Sequence, residues 1–253
     1  MAFQFNVRMS SPLTYSFISS NSWFWPIFLI LLGVWVLFGR SIPRGQGSAS
    51  DETFSIDLQG AAQLLLDFDQ GAASVQVSGG APTGVAVTGT QAAGMEVKNH
   101  LLGDRLEVKI DAGPSFLPFI GPDSGVWRFQ INQDVPLTLD VDAGASSLDF
   151  DLTDLKVTHM KVDMGASTLK VKFPASAGNT VLDVESGAAT LDLSVPQGVG
   201  ALLRLKQGAS SVDVDTSRFV MQSDGFYESA DYATTANKVE INLNGGANTV
   251  KVR

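Results

Sequence analysis

A twelve-residue pattern, Leu-x-Val-x-x-Gly-Ala-Ser-x-Leu-x-Val, recurs along the chain at nearly constant spacing and constrains the fold more than any other feature. Four copies, Leu139 to Phe150, Met160 to Val171, Leu182 to Leu193 and Leu203 to Val214, align without gaps. Their glycines, Gly144, Gly165, Gly187 and Gly208, are spaced 21, 22 and 21 residues apart. A fifth copy, Ile241 to Val252, places Gly246 38 residues further on, which is one repeat plus an insertion near Ser217 to Thr235. An earlier copy, Leu66 to Val77, carries Gly71.

Each copy alternates apolar and polar residues on both sides of its glycine, the period of a half-buried strand and not the 3.6 of a helix. Leu139, Val141, Leu148 and Phe150 form the inward set, and Asp140, Asp142, Asp149 and Asp151 the outward one. One copy therefore reads as strand, tight corner, strand. A single coil cannot bury its own apolar face, but a stack can. The expected fold is all-β, a single-stranded β-helix over residues 53–253 with coils of about 21 residues. The expected role of the corner glycines is to turn the backbone at positive φ. Ala145, Ala166, Ala188, Ala209 and Ala247 are expected to point into a narrow interior. Ser147, Thr168, Thr190, Ser211 and Thr249 would form a row of hydroxyls between coils stacked about 4.8 Å apart.

Residues 80–134 depart from the repeat, with strand-like runs at Val85 to Val87, Met95 to Lys98, Arg105 to Ile110 and Trp127 to Ile131. Between the last two, a Pro-bounded loop carries Phe116, Leu117, Phe119 and Ile120. Exposed, these are candidate partner contacts; buried, they cap the end of the stack. The same two readings apply to the later insertion, with Phe219, Phe226, Tyr227 and Tyr232.

The chain has no charged residue between Met9 and Gly39. We read residues 1–21 as a tail, 22–40 as one membrane-spanning helix and 41–52 as a Gly- and Ser-rich linker. Trp23 and Trp25 lie where an interfacial aromatic belt would be, and Pro26 falls in the first helical turn, where its missing N–H costs little. The competing reading is a cleaved signal peptide, for which the basic n-region is poor and the apolar run long. Arg40 and Arg44 lean towards a cytoplasmic C-terminal side, nearly balanced by Arg8 and the N-terminal amine. The localisation expected is a cell membrane, crossed once, with the lipid bilayer as a first partner.

Charge is divided sharply. The first fifty residues carry only Arg8, Arg40 and Arg44, while fourteen basic and all 26 acidic residues follow, leaving the β-domain at −12. Such a domain is repelled by nucleic acid phosphates. Without cysteine there are no disulfides or thiolate metal sites, and His100 and His159 are far apart in sequence. The corners lack the following helix of a phosphate loop and the Asp of a calcium-binding nonapeptide turn, so they read as structural. The acidic rows read as a solvated face, with loose divalent-cation binding as the lesser alternative. No metal or cofactor is expected, and no catalytic residues. One enzymatic alternative is a polysaccharide hydrolase using Asp149 and Asp192, two coils apart with Lys170 between them.

The repeated pattern over residues 66–253 resembles the toastrack-type domain, the short β-helix of adhesin-like proteins and of LiaF-like membrane proteins. Trp25-Pro26-Ile27 through Leu32-Gly33-Val34-Trp35 to Phe38-Gly39-Arg40 is similar to the membrane region of the LiaF-like group, which typically has several membrane segments where this chain shows one. The resemblance implies a non-enzymatic interaction domain with a protein partner, an accessory or regulatory component of bacterial envelope-stress signalling. The alternative is an extracellular adhesin-like or scaffold module binding cell-surface material.

Overall fold

The computed structural model describes residues 53–90, 95–112 and 126–253. The apolar segment 22–40, its flanking tail and linker, and Phe116, Leu117, Phe119 and Ile120 lie outside the described residues. Among the described residues no helix is long and apolar enough to cross a membrane.

Alternating sequences become strands here, and every strand among the described residues lies in one of two sheets. After β1 (Thr53–Asp57) comes a first coil, β2 (Gln63–Gln70) and β3 (Ser74–Gly79). Two strands, β4 (Val85–Thr90) and β5 (Met95–Leu102), precede a second coil of β6 (Arg105–Ala112) and β7 (Val126–Ile131). Three regular coils follow: β8 (Leu137–Ala143) with β9 (Ser147–Asp151), β10 (Val157–Met164) with β11 (Thr168–Lys172), and β12 (Asn179–Ser186) with β13 (Thr190–Ser194). Next are β14 (Gly200–Gln207) with β15 (Ser211–Val214), and a hairpin of β16 (Phe219–Ser223) and β17 (Phe226–Ser229). The last coil is β18 (Lys238–Gly245) with β19 (Thr249–Val252).

The first strand of each coil enters a ten-stranded sheet and the second a nine-stranded sheet. Coil-to-coil pairing is parallel and in register; Leu139, Met160, Leu182 and Ile241 align, as do Leu148, Leu169, Leu191 and Val250. These inward residues form one continuous apolar core, while Asp140, Asp142 and Asp149 are exposed.

Stacking order departs from chain order at both ends. The β6–β7 coil lies outside the β2–β3 coil, so β2 pairs with both β6 and β8. The segment that departs from the repeat therefore holds a full coil, with Leu106, Val108, Ile110, Trp127, Phe129 and Ile131 all buried. At the other end the β18–β19 coil sits between β12–β13 and β14–β15. Ala247, not Ala209, is thus the neighbour of Ala188. The insertion after β15 makes this possible: it forms the β16–β17 hairpin on the outer edge of β14 and returns the chain one coil inward.

The corners also differ from expectation. The glycines with positive φ lie elsewhere, as at Gly178 and Gly198 on returns between coils; the corner glycines have none. Their requirement is close approach. A Cβ on Gly165 would lie 2.8 Å from the Gly144 carbonyl oxygen, one on Gly246 2.7 Å from that of Gly187, and one on Gly208 2.7 Å from that of Gly246. The Gly144 and Gly187 carbonyls also accept from the alanine N–H one coil on, Ala166 N–H donating to Gly144 O and Ala247 N–H to Gly187 O, each at 3.0 Å. The ladder thus continues through the corner, and there is no room for a side chain between turns.

Ala145, Ala166, Ala188, Ala209 and Ala247 are exposed, and it is the following residue that turns inward: Ser146, Ser167, Ala189 and Asn248 are buried. The polar ladder between coils runs through this position, one residue before the expected hydroxyl row. Ser146 N–H donates to Ser167 Oγ at 3.0 Å, and Ser167 Oγ donates to Gly144 O at 3.1 Å. Asn248 Oδ1 accepts from Ala189 N–H at 2.8 Å, and Asn248 N–H donates to Ser210 Oγ at 3.2 Å. A buried turn needs partners for its N–H groups, and small polar side chains from adjacent coils supply them.

Candidate functional site

The outward faces of the two sheets differ in charge pattern. On the ten-stranded sheet, parallel register aligns Asp111, Asp69, Asp142, Asp163 and Glu185 on five successive strands. Lysines from the neighbouring row answer part of this: Lys109 lies 3.4 Å from Asp111 and 3.8 Å from Asp67 and Asp69, and Lys161 lies 2.6 Å from Asp163. Burial, only partly offset by Lys109 and reinforced by Asp140, Asp111 and Asp69, raises the Asp67 pKa above its ordinary value. Among the described residues no group of three or more metal-ligating side chains converges.

The nine-stranded sheet alternates sign instead. Register sets Arg128, Gln76, Asp149, Lys170, Asp192, Lys251 and Asp213 in one row. Next to it, Lys172 donates to Asp151 at 2.7 Å, and Arg253 to Asp192 at 2.8 Å. The hydrogen bond from Lys172, joined by Thr153, holds the Asp151 carboxyl below its ordinary pKa, and Asp151 in turn raises that of Lys172. Asp149 and Asp192 do occupy the same register position two coils apart. Asp192 is engaged by Arg253, however, and Lys170 stands between the two carboxylates.

Where the antiparallel strands β4 and β1 join this sheet against β7, the surface opens into a cleft of about 580 Å³. Gly89 lies beneath it, and the absence of a side chain there is required, since a Cβ would lie 2.7 Å from the rings of both Phe54 and Phe129. Those rings meet edge to face at 6.1 Å under the cleft. Its walls are polar: Arg128 and Gln130 from β7, Gln76 and Ser78 from β3, Asp149 and Asp151 from β9. Thr53, Thr88 and Thr90 add hydroxyls, and Lys172 closes the far side.

Arg128 is the distinctive member. Among the described arginines, Arg105 binds Glu107, Arg204 binds Glu240, Arg218 donates to backbone carbonyls and Arg253 binds Asp192. Arg128 engages no group among the described residues and leaves an exposed guanidinium fork at one wall. Asp149 lies two strands away, roughly 10 Å across the sheet. Such a site can hold a polyhydroxylated molecule bearing an anionic group: carboxylates and amides for the hydroxyls, and the fork for a carboxylate or phosphate.

Neither histidine reaches this cleft. His100 is exposed on β5, and His159 Nε2 lies 3.5 Å from Asp183 on the other sheet. Phe226 and Tyr227 are half-buried on β17, paired with Arg204 and Leu203 of β14, and Phe219 is fully buried. Tyr232 donates to Glu240 at 3.2 Å and stacks under Lys238. The corner glycines all stand at the corners, where they serve packing. Sequence reasoning missed the cleft because Arg128 and Gln130 lie in the segment where the repeat is lost. Only the register of β7 against β3 places them beside Asp149 and Asp151.

Residues 45–194 match the family described as the N-terminal domain of toast_rack, DUF2154. No curated protein matches the sequence. Among solved structures, that of a "putative cell adhesion protein" from Clostridium sporogenes superposes with a TM-score of 0.69 at 19% identity, over 80% of this chain and 98% of that one. Similarity at that level speaks to the fold. A "putative adhesin" from Bacteroides fragilis aligns over 80% of this chain and 96% of its own, with a TM-score of 0.27 at 9% identity.

Proposed function

Since this chain belongs to the toast_rack family, whose domain model matches more than half of its length, we propose that it is a non-enzymatic binding module of the bacterial cell surface. It is carried on the membrane by residues 22–40 and engages polar, partly anionic surface material. The observation that carries this reading is the cleft at Arg128: an exposed guanidinium that engages no group among the described residues, facing walls of amides, hydroxyls and two carboxylates. Nothing in that set pairs a nucleophile with a base. The fold likeness to a protein described as a cell adhesion protein supports the same reading.

The test is binding of fractionated wall polymers and of uronic-acid oligosaccharides to the full chain by calorimetry. Binding that falls at least about tenfold in Arg128→Ala, with unfolding unchanged, is expected; tenfold corresponds to about 1.4 kcal/mol. Equal affinity of parent and variant for every such polymer would refute the assignment of the cleft. The second reading, an accessory role in envelope-stress signalling, draws on the likeness of Trp25 to Arg40 to the LiaF-like membrane region. Protease shaving of intact cells separates the two, since only an outward domain is digested.

A further inference from the structure

Each sheet of the stack has two ends, and at three of the four antiparallel strands extend the sheet beyond the last coil, the outermost of them, β1, β5 and β16, being edge strands in turn. Beyond β7 the nine-stranded sheet continues through β4 and β1. Beyond β6 the ten-stranded sheet continues through β5, and beyond β14 through β17 and β16. The fourth end is β15, which pairs with β19 and with nothing else among the described residues. Ser211 N–H donates to Asn248 O and Asp215 N–H to Val252 O, so the intervening Val212 and Val214 direct their N–H and C=O groups away from β19.

Side chains at this end are uncovered too. Val212 is 39% exposed, whereas the residues at its register position in the stack, Val250, Leu191, Leu169, Leu148 and Val75, are at most 1% exposed. Met221, on the same face of β16 as the fully buried Phe219, is 55% exposed. The ten-stranded sheet overhangs β15 by two strands, leaving a step one or two strands wide with an apolar inner wall.

We propose that this step is a docking site for an extended segment of a partner protein, added antiparallel to β15, with apolar residues facing Val212 and Met221 and basic residues facing outward. Strand addition is the mode by which an open edge binds a peptide: main-chain bonds supply affinity and alternate side chains specificity. The antiparallel sense follows the three extensions the chain makes for itself. The basic residues follow from charge, since Asp213 and Asp215 stand on the outward face at this edge of a strongly acidic domain. A second copy of the chain does not fit, because pairing β15 with itself would drive the overhanging β16–β17 hairpins of both copies into each other.

The probe is an acetylated, amidated peptide of alternating lysine and valine, compared with a block-permuted peptide of the same composition, on the full chain. Expected is saturable binding of the alternating peptide, at least about tenfold tighter than the permuted one, with hydrogen exchange slowed at Val212 and Val214 and unchanged on β1 and β5. Asp213→Lys weakens binding by about tenfold and leaves unfolding as in the parent. Val212→Pro removes the outward N–H and abolishes binding. Arg128→Ala leaves peptide binding unchanged, which separates this site from the cleft. Absence of binding at about 1 mM peptide, equal affinity for the permuted peptide, protection elsewhere, or a dimer held through β15 each overturns the proposal.

Discussion

Substitution of the corner glycines by alanine gives a graded test of why glycine is there. The approach to the carbonyl one coil back is closest at Gly144, against Gly71 O, then 2.7–2.8 Å at Gly208, Gly246 and Gly165, and 3.2 Å at Gly187. None of these glycines has a positive φ, so alanine meets no backbone penalty and gains about 0.4–1 kcal/mol by restricting the unfolded chain. Against that gain stands overpacking of about 1–3 kcal/mol where the Cβ presses on a carbonyl that already accepts a hydrogen bond from the next coil. Gly144→Ala, Gly165→Ala and Gly246→Ala should therefore each lose about 1.3 kcal/mol net, or about 3–5 °C in Tm for a domain of this size. Gly187→Ala should be nearly neutral, because a few tenths of an ångström relieve its contact. The exposed Ala166 supplies a control: Ala166→Leu, which the sequence alone marks as disruptive, should cost under about 0.5 kcal/mol. Thermal and urea unfolding followed by far-UV circular dichroism would measure the series. Equal losses at Gly187 and Gly144, or asparagine tolerated where alanine is not, would refute close approach and restore a backbone requirement.

Asn248→Ala should destabilise by about 1–3 kcal/mol, because it strands the buried Ala189 N–H and removes a 3.0 Å bond to Ser186 Oγ; loss of hydrogen-exchange protection at Ala189 would report it directly. Lys172→Met should lower stability at neutral pH. Asp151 has a folded pKa below its unfolded value, so its contribution is present above the unfolded value and lost as pH falls through the folded one. Parent and variant should accordingly converge in acid, as read from urea midpoints across pH. Asp67 acts in the opposite sense: its raised pKa favours the folded state below the unfolded value, and this advantage is lost as pH rises through the folded one. Asp67→Asn should then be neutral or stabilising at pH 7.

The period-two pattern was enough to place the strands, since Leu148, Leu169 and Leu191 can be read as buried and Asp149 as exposed without a structure. Corner chemistry was less legible. Glycine, alanine and serine are all small, and the sequence does not say which of three consecutive small residues faces inward. Backbone geometry decides that, placing Ser146 and Ser167 inside and Ala145 and Ala166 outside. The β6–β7 coil was hidden for a related reason: its strands keep the pattern, with Leu106, Val108 and Ile110 opposite Trp127, Phe129 and Ile131, but residues 113–125 replace the short Gly-Ala corner. The cleft depends on that coil, and so do Arg128 and Gln130. Their neighbours Asp149 and Asp151 come from a different repeat, and no one-dimensional spacing joins them.

Coil order has a consequence for where the chain can be cut. Were stacking sequential, residues 238–253 would be the terminal coil and their loss would trim one end. In the folded stack β18 pairs on one side with β12 and on the other with β14, and β19 likewise lies between β13 and β15. Val239, Ile241, Leu243, Val250 and Val252 are all buried there. Deleting 238–253 removes an internal rung and with it all strand pairing between β14–β17 and the coils below, leaving contacts such as that of Arg218 with the Pro196 carbonyl, and exposes Leu182, Val184, Leu191 and Leu193 to solvent from that side. Deleting 200–253 instead removes two whole coils and the hairpin, leaving five coils with a clean, though uncapped, end. In a repeat stack, stability is nearly the sum of each coil and its nearest-neighbour contacts. The larger deletion should therefore be the better tolerated, with a sharper unfolding transition and less exposed apolar surface in a dye-binding assay. If the 16-residue deletion left the β14–β17 segment as protected from hydrogen exchange as in the full chain, the interleaved stacking of β18–β19 would be wrong.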